Sequence, residues 1–98
     1  MQRYLSVDPR KLLLPTQRLS GADPWKLQRQ IAQFGATIIG MPPIWVEEDP
    51  DGRLRIINGT TRAVRVAKML PGNPVIVEVI SKTKKTFRST ITVSEVIP

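Results

Sequence analysis

The residues best able to do chemistry stand together in one short stretch, Asn58-Gly59-Thr60-Thr61-Arg62, directly behind the apolar pair Ile56-Ile57. The stretch reads as a strand that turns through Asn-Gly into a helix. A helix start carries unpaired N–H groups and a partial positive charge, so it is a ready anion site. Gly59 lets the backbone approach a ligand closely and takes dihedrals that other residues resist. Thr60 and Thr61 can cap the helix or offer hydroxyls to a phosphate oxygen, and Arg62 can grip phosphate with its planar fork. Arg65 lies one turn on, and Lys68 adds charge if the helix rotation allows. The same residues also suit a plain turn followed by an N-cap, with Arg62 solvated. The pattern is looser than a Walker loop, which fixes two glycines and a Lys-Ser/Thr pair.

Three other groups carry charge or aromatic surface. Glu47, Glu48, Asp49 and Asp51 cluster closely enough to suggest Mg²⁺, but Asp-Pro-Asp-Gly is ideal turn chemistry, and a solvated hairpin turn is the preferred reading. Lys82, Lys84, Lys85 and Arg88 form a basic run with no nearby acid. It suits the backbone of a nucleic acid, or equally a charged loop that blunts a sheet edge. Trp25 and Trp45 read as core or rim packing rather than base platforms. No catalytic base is identifiable: Glu78, Asp8 and Asp23 are candidates by elimination alone, which leaves enzyme status open.

The elements that must position these residues follow from periodicity and punctuation. Residues 1–8 read as a short strand or arm, and Lys11-Leu12-Leu13-Leu14, ended by Pro15, as a short buried strand. Residues 15–22 read as a loop. Asp23-Pro24 signals a helix start, Leu27, Ile31 and Phe34 mark its apolar face, and Gly35 stops it, which places a helix at 24–34. Residues 36–43 form a loop or crossover in which Gly40-Met41-Pro42-Pro43 serves as a pocket wall or a rigid connector. Ile44-Trp45-Val46 and Arg53–Ile57 are the two strands of a hairpin. A second helix shows its apolar face at Ala63, Val66, Ala67 and Leu70 and ends at Pro71-Gly72. Val75–Ile80 is a third firm strand. Phe87, Ser89, Ile91 and Val93 alternate with polar residues, which predicts a last strand with one wet face within a terminal extension, 83–98. The sum is a single α+β domain.

Length and composition bound what that domain can do. Ninety-eight residues suffice for one small core. The chain has no cysteine and no histidine, so disulfides, thiolate catalysis, Ser-His-Asp chemistry and thiolate or histidine metal sites are excluded. Fifteen Lys/Arg against eight Asp/Glu leave a net charge of +7, which favours anionic partners or simply keeps the chain soluble. No apolar run is long enough to span a membrane, and no apolar segment follows the N-terminal charges as in a signal peptide. A cytoplasmic protein is the expectation, with no membrane partner.

From Val7 to Ile80 the order of these segments resembles the N-terminal domain of ParB-type partition proteins and the sulfiredoxin-like superfamily. The resemblance rests on Leu14-Pro15-Thr16-Gln17, similar to a "PxQ" element, and on the helix end Ile31-Ala32-Gln33-Phe34-Gly35. It rests further on Pro43-Ile44-Trp45-Val46, similar to a "PIxV" strand, and on Arg55–Lys68, similar to an "IxxGxxRxxAAK" strand-turn-helix. It implies a mixed sheet with two main helices and a nucleotide of the ATP or CTP class. Gly59, Thr60, Thr61 and Arg62 would cradle its phosphates, with Gln17 close by and Mg²⁺ as the companion cofactor. Hydrolysis or phosphoryl transfer would be the associated chemistry. The chain departs from the Gly-Glu-Arg-Arg of partition proteins, and it lacks the cysteine that sulfiredoxins need, so reductase activity is excluded. It also lacks the helix-turn-helix and dimerising tail of a whole partition protein. The alternative expectation is a domain that binds or cleaves DNA or RNA, including a toxin-type module at the C-terminus of a secreted bacterial effector. A third is an interaction module that dimerises through a sheet edge.

Overall fold

Alternation of apolar residues builds a sheet that is dry on one face. In a computed structural model, which describes residues 3–97, the strands are β1 (Arg3–Val7), β2 (Ile44–Glu48), β3 (Leu54–Asn58) and β4 (Val75–Lys82). Their spatial order is β1-β4-β2-β3. β1 runs antiparallel to β4 and β3 antiparallel to β2, while β2 and β4 run parallel, so the sheet is mixed. Ile44, Val46, Ile56, Val75, Val77 and Val79 turn to one side and are buried there. Each such side chain contributes about 1.5–3 kcal/mol by leaving water.

One helix, α2 (Thr60–Met69), covers that side, and α1 (Pro24–Phe34) packs against it. α1 starts where the Asp23 carboxylate accepts from the Trp25 amide at 2.9 Å, and Pro24 occupies its first turn. It ends at Gly35, with a φ of +56° whose sign no larger residue among the described ones shares, as the Gly35 amide closes onto Ile31 O. α2 buries Ala63, Val64, Val66 and Ala67 against the sheet, with Leu27 of α1 beside them. The chain is therefore a compact α+β domain. No helix among the described residues is long and apolar enough to cross a membrane.

Several local expectations need correction. The arm at 1–8 is an edge strand over Arg3–Val7, with Met1 and Gln2 outside the described residues. Leu12, Leu13 and Leu14 are buried as expected, but they form no strand of their own. Leu13 alone bridges to Arg55 on one side and Thr92 on the other. The strand expected from Phe87 to Val93 is absent. Its polar-apolar alternation has no neighbouring strand to pair with, and only the Thr92 bridge remains before a 3-10 helix at Val93–Glu95. Instead of extending the sheet, the 83–98 extension lies over the hairpin at Thr83 and Phe87 and then packs against Leu12–Leu14 through Ile91 and Val93, and Pro98 lies outside the described residues. Trp25 lies outside the core at 80% exposure, because the buried face of α1 narrows to Leu27 with Ile31 partly covered. Trp45 is half-exposed on the sheet's other face.

Candidate functional site

The turn from β3 into α2 forms the floor of a cavity of about 660 Å³. Gly59 sits at φ +115°, ψ +20° and serves as the helix N-cap without a side-chain hydrogen bond. The first intrahelical bond runs from Ala63 N to Gly59 O at 2.9 Å, so the amides of Thr60, Thr61 and Arg62 precede it and point out of the helix end. A methyl group on Gly59 would stand 2.9 Å from Arg62 Nη2 and 3.1 Å from Ile44 Cγ1. The glycine thus allows the Arg62 side chain to fold back over the turn.

Arg62 is the unusual group here. Its side chain is partly buried, and burial pushes the guanidinium below its ordinary value. No hydrogen bond or ion pair among the described residues compensates it. A partly buried cation gives up some of its hydration, and an anion delivered to it makes up for that loss.

The walls come from three separate segments. Pro15, Gln17 and Arg18 close one side, within the 15–22 loop, which contains a 3-10 turn at Thr16–Arg18. Lys26, Gln30 and Phe34 of α1 form a second wall, at the i, i+4, i+8 spacing of one helical face. Ile39, Gly40, Met41 and Pro42 form the third, so the 40–43 segment is a pocket wall. Phe34 is 43% exposed at this wall and not in the core, a correction to the apolar face read for α1. It lies over the Arg65 guanidinium, 5.4 Å from Cζ to the ring centroid.

All six residues expected at the site therefore line one cavity: Gln17, Gly59, Thr60, Thr61, Arg62 and Arg65. Arg65 plays a different part from the one expected. It is 2% exposed, and its Nη1 donates to Gly35 O at 3.0 Å and Thr37 O at 2.7 Å. Its Nε donates to Gln30 Oε1 at 3.4 Å and its Nη2 to Met41 Sδ at 3.5 Å. Those donors hold the loop after α1 against α2, so Arg65 latches the wall while Arg62 remains open to a ligand. Burial also lowers the Arg65 guanidinium, but carbonyl dipoles receive its protons. Arg18, Lys26 and the α1 face were missed in the sequence. The i, i+4, i+8 spacing was the available signal, but it does not say what the face looks at.

No carboxylate lines the cavity. Its polar groups are amides, hydroxyls and cations, which do not fit a Mg²⁺ ligand set taken from the protein. The acidic cluster is elsewhere and fully engaged. Glu47 accepts from Arg55 at 3.0 Å, Glu48 pairs with Arg3 at 2.8 Å, and Asp51 lies 3.7 Å from Arg53. Asp49 is buried, not solvated as a turn residue would be, and accepts from the Arg53 and Phe87 amides at 2.9 and 3.2 Å. Burial by itself raises the Asp49 carboxyl, but these amides and the Arg53 side chain outweigh it and hold it below the ordinary value. Among the described residues no group of three or more acidic residues is placed to hold a metal. The candidate bases Asp8, Asp23 and Glu78 also lie off the cavity, with Asp8 bonded to Arg10 and Asp23 capping α1.

The basic run is separate from this site. Lys82, Lys84, Lys85 and Arg88 are all exposed and none lines the cavity. No model of a protein family matches the chain, and no curated protein matches it either.

Proposed function

We propose that this chain is a phosphoanion-binding domain whose ligand is a nucleotide of the ATP or CTP class, held at the Gly59–Arg62 turn. The observation that carries the reading is Arg62, a partly buried guanidinium without a partner in a cavity that contains cations and no carboxylate. The cavity volume falls within the roughly 300–1,000 Å³ of small-molecule pockets. The amides of the α2 start and the hydroxyls of Thr60 and Thr61 offer further donors to phosphate oxygens. Phe34, Ile39 and Met41 give the opposite wall an apolar surface suited to a nucleobase. The reading is in keeping with a ParB-like or sulfiredoxin-like relationship. With no base in the cavity the proposal is binding, and hydrolysis or transfer would require a group from elsewhere.

A second reading is nucleic-acid binding through Lys82, Lys84, Lys85 and Arg88, favoured by their exposure and by the absence of an ion pair to any of them among the described residues. A thermal-shift panel separates the two. It uses ATP, ADP, CTP, GTP and short duplex DNA, each with and without Mg²⁺. A ligand at 100 times its dissociation constant stabilises by about 2.7 kcal/mol. On the leading reading one nucleotide shifts the wild type, and Arg62→Ala weakens it by about 10- to 100-fold with the fold intact. A shift by DNA alone, salt-sensitive and lost in Lys84→Ala/Lys85→Ala, overturns that reading in favour of the second.

A further inference from the structure

The charges of the cavity bear on what its ligand brings with it. Arg18, Lys26, Arg62 and Arg65 line it together, and no Asp or Glu does. Arg65 is committed to the carbonyls of Gly35 and Thr37. The other three make no ion pair and no side-chain hydrogen bond among the described residues. Arg18 and Lys26 are exposed on two different walls, and Arg62 is partly buried at the floor. The side-chain oxygens of Gln17, Asn58, Thr60 and Thr61 are neutral and bring no negative charge to set against these cations. A site that takes Mg²⁺ together with phosphates usually offers the metal one or two carboxylates. Here a metal ion would enter among three like charges with nothing to offset them.

We propose that the cavity takes its nucleotide free of metal, as a bare triphosphate, with Arg18 and Lys26 supplying to the outer phosphates the charge that Mg²⁺ would otherwise supply. The inference rests on the nucleotide reading of the Gly59–Arg62 turn, and it departs from the Mg²⁺ companion that the family resemblance implies. Bound Mg²⁺ cancels roughly half of the charge of a nucleoside triphosphate, so the metal complex makes weaker use of a cationic site than the free ligand does. Arg62 and the amides at the start of α2 hold the inner phosphates. The α1 wall then gives the ligand a direction. Lys26, Gln30 and Phe34 follow one another along one helical face, and two turns of helix rise roughly 12 Å. That wall is charged at one end and apolar at the other. The phosphate chain extends towards Lys26, and the base lies towards Phe34.

The test measures the affinity of ATP and of CTP by calorimetry, each in EDTA and in saturating MgCl₂ at equal ionic strength. It compares the wild type with the double variant Arg18→Gln/Lys26→Gln, whose two altered side chains are exposed and unpaired, so that the fold is kept. The tighter of the two nucleotides is expected to bind the wild type about tenfold more tightly in EDTA than in MgCl₂. The double variant is expected to lose that preference, because its affinity for the metal-free form falls by about tenfold while its affinity for the Mg²⁺ complex changes little. Equal binding in both conditions, or tighter binding with Mg²⁺, overturns the inference and leaves the nucleotide reading standing. A preference for the metal-free form that survives in the double variant overturns the part given to Arg18 and Lys26. No binding of either nucleotide in either condition overturns the nucleotide reading itself, and this inference with it.

Discussion

The hairpin end and the cavity are both rich in arginine, and they treat it in opposite ways. At the hairpin end Arg3, Arg53 and Arg55 each meet a carboxylate within 3.0 Å. Arg55 also lies 4.1 Å from the centroid of Phe87, so that the chain after β4 is tied down over the hairpin. In the cavity, Arg18, Lys26, Arg62 and Arg65 share the lining with no acid at all. The first region has used its charge to build structure, and the second has charge left over. A residual like-signed field in a concave site is what attracts an anion, whereas paired surface charges add little to affinity for anything.

The contrast sharpens within α2 itself, between Arg65, which is satisfied by carbonyls, and Arg62, which is not. The largest effect is expected at Arg65. Arg65→Met leaves the Gly35 and Thr37 carbonyls without their donor and should cost about 2–4 kcal/mol in denaturant unfolding. Ligand affinity should fall with it as the 35–41 wall loosens. Arg62→Met should change stability by under about 0.5 kcal/mol while weakening the ligand by about 10- to 100-fold. If Arg65→Met kept full stability and lost only the ligand, the latch would in fact be a binding residue and the contrast would fail.

Gly59→Ala comes next. The added Cβ meets a φ of +115° and crowds Arg62, for an expected loss of about 1–2 kcal/mol. Affinity should drop too, because Arg62 can no longer fold over the turn. Unchanged nucleotide affinity in this variant would show that the observed pose of Arg62 is not the binding pose.

The smallest effect is the pH dependence of the hairpin end. The Asp49 carboxyl titrates below its ordinary value of 3.8 in the folded protein, so the unfolded chain takes up its proton first as pH falls. The stabilisation it brings is complete above about pH 4 and is lost as pH falls through the folded value. Asp49→Asn should therefore flatten the decline of the thermal midpoint in acid and leave nucleotide affinity at neutral pH unchanged. An Asn variant with the same acid profile as the wild type would remove Asp49 from the account of that end.

Much of this layout was legible in the chain because the relevant signals are local. Asp23-Pro24 and Gly35 bound α1 through caps and dihedrals set within a few residues. Ile56-Ile57-Asn58-Gly59-Thr60-Thr61-Arg62 announced a strand, a turn and a helix start for the same reason. What failed was long-range. The alternation from Phe87 to Val93 looks like a strand, but a strand needs a partner, and Asp49, 38 positions away, takes the Phe87 amide instead. Arg65 looked like a second phosphate ligand, since its partners at Gly35 and Thr37 lie 30 and 28 positions back and no spacing rule connects them. Trp25 reads as packing because tryptophan usually packs, yet it stands 80% exposed, off the face of α1 that Leu27 buries.

By itself, the sequence determined the absence of cysteine and histidine chemistry, the excess of positive charge, the helix boundaries and the glycine turn. Each of these depends on composition or on neighbours a few residues apart. Only the tertiary structure decided which charges are left over. Whether an arginine or a glutamate is compensated depends on groups brought near it from distant parts of the chain. That is how Arg62, an ordinary residue in the sequence, comes to stand partly buried in a cavity without a carboxylate, as the charge on which the proposed binding depends.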